Sequence, residues 1–291
     1  MTTSTARPRR RHRFRGLWWR YLLIVLVLAW TLFPVVFIVS AAVDPAGNLV
    51  TSSLWPSAVS AGNLRDLLSN PHHPFLAWYR TSLLVAGVAS VVTVFLSACA
   101  AYAFSRLRFP GRRPGLFGLL LVQMFPAILS FVALYGTFAA LGDAVPALGL
   151  GTPAGLILAY LGGAMGANVW LLKGYFDTLP RELDEAAVLD GCSHLRIFLD
   201  ITLRLARPIL VTVLMVSFVS VYSEFLLAGI FLTDPDRQTL AVGLNAMLRA
   251  DRNQYLGQFA AGALLASAPV VLIYLAFQRQ LVSGLTQGST K

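Results

Sequence analysis

Charged side chains are scarce in this chain. Only 12% of its 291 residues are Asp, Glu, Lys or Arg, against about 25% in an average soluble domain. That excludes an ordinary soluble domain, and it excludes disorder, which needs a polar, charge-rich chain. Cysteine is limited to Cys99 and Cys192, so no disulfide scaffold or C-x-x-C metal or redox pair can form. Four histidines, His12, His72, His73 and His194, give no metal cluster. Lysine occurs twice. A P-loop needs a Gly-rich turn followed by Lys and Ser/Thr to hold phosphates. Lys173 follows Trp-Leu-Leu and Lys291 follows Gly-Ser-Thr, so neither fits and no ATPase site is expected. Gly-x-Ser-x-Gly, His-Glu-x-x-His and a plausible catalytic carboxylate pair are also missing. The chain is not expected to be catalytic, nor to bind a cofactor itself.

What the chain has in excess is apolar sequence. Hydrophobic residues make up 57%, and the mean hydropathy is +0.69. They fall in six blocks, 21–42, 81–105, 114–141, 153–172, 208–233 and 259–277. Each is close to the roughly 20 residues that cross a bilayer as a helix. All 23 Lys and Arg lie outside the blocks, and Glu224 alone of the 13 Asp and Glu lies inside one. Backbone in lipid must satisfy its own hydrogen bonds, so the blocks read as helices; the ten-residue alternation of a membrane barrel is missing. The expected fold is an all-α polytopic membrane protein of six transmembrane helices.

Orientation follows from the basic residues. The N-terminus, 106–113, 173–207 and the C-terminus carry 18 Lys and Arg, and the remaining segments carry 5. Both termini are therefore expected in the cytoplasm. The basic run at 7–15 could also be a nucleic-acid arm, but it adjoins an apolar span. It could open a secretory signal with a small-residue site at 40–42, but the apolar stretch exceeds a signal core. A retained first span is the reading taken. Trp55, Trp78 and Tyr79, between the first two spans, suit interfacial anchors.

The segment 173–207 is longer than a connecting turn needs. Pro180 suits the first turn of a helix, with Glu182, Asp184 and Glu185 near its positive end. Gly191 suits its stop. This predicts a short helix over 180–190, with Ala186 and Ala187 allowing close approach by a partner. Leu195, Phe198, Leu199 and Thr202 then follow at helical spacing, as in an amphipathic segment on the membrane face. A solvated loop without a partner is the alternative.

Glu185-Ala186-Ala187-x-x-x-Gly191, with Ile201 and Leu203 beyond, resembles the EAA loop of ABC-importer permease subunits. AYAFSRLRFPG (101–111), QMFPAILSFVALYGTF (123–138), AYLGG (159–163), KGYFDTLP (173–180), EAAVLDG (185–191), TLAVG (239–243) and LVSGLTQG (281–288) occur in the same order as in permeases of the maltose/maltodextrin branch. Arg204 stands where the family pattern usually has Pro.

The resemblance implies a type I ABC-importer permease fold. It divides the chain into a basic cytoplasmic N-terminus at 1–20, a transmembrane domain at 21–280 and a cytoplasmic tail at 281–291. It implies a second, larger permease subunit, two copies of a cytoplasmic ATPase holding ATP and Mg, and a periplasmic sugar-binding protein, in the bacterial inner membrane and without nucleic acid. Glu185, Ala186, Ala187, Asp190 and Gly191 would couple to the ATPase. The polar segment with Arg249, Asp251, Arg252, Asn253 and Gln254 would meet the binding protein. The cargo would be maltose or maltodextrin, or another sugar such as trehalose.

Three further features stay open. Glu224, with Tyr222 and Ser223 beside it, either lines a substrate path or is a structural carboxylate. A carboxylate in a span is costly and by default functional, which also keeps an ion-coupled secondary transporter in view. Gln123 and Asn168 either face substrate or join helices. Gly162 and Gly166 could form a close-packing face.

Overall fold

A computed structural model describes residues 18–45 and 55–286, apart from the side chains of Ala164, Arg252, Asn253, Arg279 and residues 281–286. The expectations for the basic run at 7–15 and for the last residues of the tail lie outside the described residues. Among the described residues the chain is helical throughout, without strands. The helices are α1 (Trp18–Val43), α2 (Gly62–Ser69), α3 (Phe75–Arg106), α4 (Arg112–Met124), α5 (Ala127–Ala144), α6 (Pro153–Phe176), α7 (Arg181–Leu189), α8 (His194–Arg196), α9 (Leu203–Leu205), α10 (Arg207–Ser223), α11 (Leu226–Phe231), α12 (Leu240–Ala250) and α13 (Arg252–Thr286).

Among the described residues, four helical stretches are long and apolar enough to cross a membrane: Trp18–Val43, Phe75–Arg106, Ala127–Ala144 and Gln254–Gln278. Two bent pairs bring the number to as many as 6. One is Pro153–Gly163 with Met165–Phe176, bent by 51°, and the other is His194–Leu205 with Arg207–Ser223, bent by 80°.

Each apolar block contains helix, but two are broken. Block 114–141 ends its first helix at Phe125, which is extended (φ −72°, ψ 130°), and restarts after Pro126. Proline disfavours helical backbone in the residue before it, so the break follows from the sequence. Block 208–233 breaks at Glu224, also extended (φ −73°, ψ 131°), between α10 and α11. Pro34 and Pro269 lie inside helices without ending them.

The chain forms two compact units. In the first, Ser40, Ala41 and Ala42 are buried at the end of α1. The Asn63 amide donates to the carbonyls of Ala42 and Asp44 at 3.1 and 2.9 Å, satisfying oxygens that the helix end leaves free. Ser57 donates its hydroxyl to the Asp44 carboxylate at 2.7 Å. At Gly257 a β-carbon would come within 2.5–2.6 Å of the Asn63 amide, so glycine is required for this approach.

In the second unit α3 is the central helix. It buries Ala86, Ala89, Ser90, Ser97, Ala98 and Ala101. Small residues let backbones approach closely where lipid provides no hydrophobic drive between helices. One apolar cluster joins Val94, Ala98, Ala101 and Tyr102 of α3 to Leu172 and Phe176 of α6, Phe198, and Val213 of α10. A second joins Val85 to Phe138, Leu156, Leu227, Ala228 and Phe231.

Trp78 corrects one expectation. It is no interfacial anchor: it is 2% exposed, and its indole N–H donates to the Pro235 carbonyl at 2.7 Å. Its ring lies flat against Gly243 of α12, where a β-carbon would fall 2.2–2.6 Å from ring atoms. Trp55, by contrast, is 81% exposed.

Candidate coupling and translocation sites

The segment after α6 is built as a sequence of caps. Pro180 stands at the N-cap position of α7, without a capping hydrogen bond, rather than in its first turn, and Glu182 and Asp184 lie in that turn. At the other end the Gly191 N–H donates to the Val188 carbonyl at 3.0 Å, and the Cys192 N–H to the Ala187 carbonyl at 2.9 Å. With Gly191 at φ +79°, this is the paired-bond helix stop that favours glycine. Ser193 then caps α8 through its hydroxyl.

The apolar stripe expected at Leu195, Phe198, Leu199 and Thr202 is rearranged. Residues Ile197–Thr202 form a π-helical turn. One extra residue per turn rotates the face, so Ile197, Phe198 and Thr202 are buried while Leu195 and Leu199 are exposed. Phe198 packs on Tyr102 with ring centroids 5.1 Å apart.

Of the residues expected to couple, Glu185, Ala186, Asp190 and Gly191 are exposed, whereas Ala187 is buried. The two alanines therefore differ in use: Ala187 fits α7 against its own chain, and Ala186 faces outward. Beside Ala186, Leu183, Val188 and Leu189 are also exposed, Leu189 by 88%. A short surface helix showing this much apolar side chain is an incomplete surface.

Charged residues tie this segment to the spans. Arg106, the last residue of α3, meets the Asp184 carboxylate of α7 at 2.7 Å. It also donates from Nη2 to the Leu179 carbonyl at 3.0 Å. Asp177, after α6, accepts the Ser105 hydroxyl at 2.7 Å and pairs with Lys173. Burial opposes charge on Asp177, but the hydrogen bonds from Lys173 and Ser105 and the charges of Lys173 and Arg112 prevail. Its carboxyl stays below the ordinary range. A basic residue ending a span before a Pro-Gly turn was the available signal for Arg106.

Glu224 sits at the break between α10 and α11. Its carboxylate accepts the N–H groups of Leu226 and Leu227 at 2.7 and 2.9 Å, that of Ala228 at 3.0 Å, and the Tyr160 hydroxyl. The donors are the otherwise free N–H groups that open α11, where negative charge is favoured. Tyr222 is buried and donates its hydroxyl to the Ala266 carbonyl at 3.1 Å. Tyr160 was not singled out in the sequence, because its partner is 64 residues away.

Gln123, near the end of α4, lays its amide against Gly166, where a β-carbon would fall 2.1 Å from Nε2. A β-carbon at Gly162 would meet nothing within 4 Å, so of the two glycines only Gly166 is a close-packing position. Asn168 joins helices, donating to the Ser217 hydroxyl at 3.1 Å.

The polar segment near 249–254 is helical on either side of Asp251, which joins α12 to α13. α12 buries Leu240, Gly243, Leu244 and Met247, and Arg249 at its end is exposed. Asp251 and Gln254 are exposed too, the Gln254 N–H bonding to the Asp251 carboxylate at 3.1 Å. Arg252 and Asn253 open α13, and their side chains lie outside the described ones.

Apolar helices long enough to cross a membrane, joined by a short helix with an exposed face, are the arrangement of a membrane-spanning protein. The sequence of residues 93–287 matches the description "binding-protein-dependent transport system inner membrane component", and the chain belongs to that family. It is a multi-pass membrane permease rather than an enzyme. It is 40% identical over 282 residues to the maltose/maltodextrin transport system permease protein MalG of Escherichia coli (strain K12), covering 93% of this chain and 94% of that protein. To MalG of Vibrio vulnificus (strain YJ016) it is 40% identical over 285 residues, covering 94% and 95%. The fold is also similar to a chain of a bacterial ABC transporter involved in the import of the acidic polysaccharide alginate. That match has a TM-score of 0.78 and 20% identity, over 95% of this chain and 100% of the other. A structure of a bacterial alginate ABC transporter with its pentasaccharide-bound periplasmic protein gives a TM-score of 0.67 at 14% identity, over 93% and 96%.

Proposed function

We propose that this chain forms half of the translocation path of an ATP-driven importer for maltose/maltodextrin-type oligosaccharides. It crosses the inner membrane six times with both termini in the cytoplasm. Its partners are a second, larger permease, two copies of a cytoplasmic ATPase that carry ATP and Mg, and a periplasmic sugar-binding protein. Residues 1–20 are a basic N-terminus, 21–280 the transmembrane domain and 281–291 the cytoplasmic tail.

The observation that carries this reading is α7. It is closed at its C-terminal end by the Gly191 stop and held to α3, yet presents Glu185, Ala186, Val188 and Leu189 outward. We assign Glu185, Ala186, Asp190 and Gly191 to contact with the ATPase, and Ala187 to seating the helix. Closure of the ATPase dimer moves α7, and the movement shifts the spans between inward- and outward-open arrangements. ATP drives the change only through unequal affinity for the two states. Tyr222, Glu224 and Gln123 border the path by holding helices in place, and Arg249, Asp251, Arg252, Asn253 and Gln254 face the binding protein.

An ion-coupled carrier is the weaker reading. It needs a carboxylate free to meet an ion, whereas both oxygens of Glu224 are held by backbone N–H groups and Tyr160.

Gentle detergent purification from the native membrane tests the proposal. Co-purification of an ATPase and a second permease, with ATP turnover stimulated by maltose-loaded binding protein, is expected. A chain that purifies alone and moves sugar on a proton or sodium gradient without ATP overturns it. Stimulation by trehalose but not maltose would keep the importer and change the cargo.

A further inference from the structure

The Arg106 guanidinium holds three parts of the chain at one point. It ends α3, the central helix. Its Nη2 donates to the Leu179 carbonyl, where the chain leaves α6. Its Nε lies 2.7 Å from the Asp184 carboxylate on α7. The site is nearly dry, with side-chain exposures of 7% for Arg106 and 18% for Asp184. Among the described residues, Asp184 makes the side-chain ion pair that joins α7 to another helix. The rest of the seat is apolar: buried Ala187 on α7, and the cluster of Tyr102, Phe176 and Phe198 in the adjoining helices.

Apolar contacts of this kind are non-directional and allow sliding. A planar guanidinium that donates to a carbonyl while its charge holds a neighbouring carboxylate resists such sliding. The contact to Asp184 is a charge contact without directed hydrogen-bond geometry, and Nη1 is buried with no hydrogen-bond acceptor. A buried charge pair left incompletely satisfied is a costly device for stability alone, since apolar replacements often serve as well. It does fix α7 to the end of α3.

We propose that Arg106, through Asp184, is the positioning residue that transmits movement of α7 to α3. It acts as the rigid joint between the ATPase-facing helix and the central span. The inference rests on the importer reading above. It assigns a role to a residue outside the EAA segment.

The test uses the assembled transporter in proteoliposomes, with ATP turnover and sugar uptake measured together. The variants are Arg106→Gln, Arg106→Lys, Asp184→Asn and the double variant Arg106→Gln/Asp184→Asn. In the wild type, loaded binding protein must stimulate ATP turnover. Its failure to do so counts against the importer reading, separately from the joint.

With a working wild type, Arg106→Gln is expected to assemble with its partners. Sugar carried per ATP should fall about tenfold. Arg106→Lys should recover only part of this, since an ammonium lacks the planar fork. The double variant should be no worse than the single ones, because one joint can be broken only once. Wild-type sugar per ATP in Arg106→Gln would overturn the proposal. So would losses that multiply to about a hundredfold in the double variant, which would mean two independent roles. If Arg106→Gln fails to accumulate, Asp184→Asn carries the test, because it keeps the side-chain shape while removing the charge. Loss of that variant from the membrane as well would make the pair a folding element and overturn the proposal.

Discussion

Two short helices, α7 and α11, follow breaks at the ends of longer apolar helices, and they differ in how fully the chain finishes them. α11 is closed. Its first N–H groups are taken by Glu224, and Leu227, Ala228 and Phe231 are buried. α7 is left open. Ala187 is its one fully buried residue, and Leu183, Val188 and Leu189 are exposed. A chain that caps one short helix with its own carboxylate and buries three of its six residues can do so for another. On the proposed function the unfinished face of α7 is the one that meets the ATPase, whereas the α11 region belongs to the permease's own architecture.

The largest effect is expected where the closed region loses its carboxylate. Glu224→Ala strands three backbone donors and the Tyr160 hydroxyl. Bonds to charged groups contribute about 1.5–3 kcal/mol each, though not additively, so a loss of about 4 kcal/mol is expected. Glu224→Gln keeps the shape and one acceptor oxygen, and should cost about half as much. Thermal unfolding of the purified transporter in detergent reads both. If Glu224→Ala melts like the wild type but uptake fails, the carboxylate serves substrate, and the contrast with α7 loses its closed member.

Gly243→Ala comes next. The new methyl would fall 2.2–2.6 Å from the Trp78 ring, which is buried and tied to the Pro235 carbonyl. Neither partner can retreat cheaply, and overpacking of this kind costs about 1–3 kcal/mol. The same melting experiment should show a clear drop. An unchanged melting temperature would mean that the seat of α12 is looser than its contacts indicate.

Legibility from sequence divides in the same way between local and long-range features. Each apolar block holds helix, and the presence of α7, with its ends to within one residue, follows from Pro180, the acidic first turn and Gly191. These are local signals. Trp78 read as an interfacial anchor because its acceptor, Pro235, lies 157 residues away. Glu224 stayed open between two readings because its donors exist only once the helix breaks beside it. The stripe after Ser193 failed because a π-helical turn shifts the register, and 3.6-residue spacing cannot anticipate that. Arg106 was counted for orientation, but its pairing with Asp184 needs the fold.

A smaller effect separates the two alanines of α7. Ala187→Leu puts a large side chain at a buried seat and should cost about 1–2 kcal/mol. Ala186→Leu and Leu189→Ser lie on the exposed face and should leave unfolding within about 0.5 kcal/mol of the wild type. These two should instead weaken retention of the ATPase during purification. If Leu189→Ser lowers the melting temperature as much as Ala187→Leu does, α7 is closed by its own chain after all.

The smallest effect concerns pH at the junction where α6 meets the α7 segment. The Asp177 carboxyl is held below its ordinary range by Lys173 and Ser105, against the cost of burial. A carboxyl depressed in the folded state binds its proton more weakly there than in the unfolded chain. Its contribution is therefore complete above the ordinary carboxylate pKa of about 4. It is lost as pH falls through the lower folded value. Nothing at this junction should change between pH 8 and 5, and Asp177→Asn should remove the acid-dependent part alone. Asp177 is partly exposed and salt screens such pairs, so the shift in melting temperature should be slight and should shrink in high salt. A junction that loosens between pH 7 and 6 would instead place a titrating group there that the Lys173–Asp177–Ser105 arrangement does not contain.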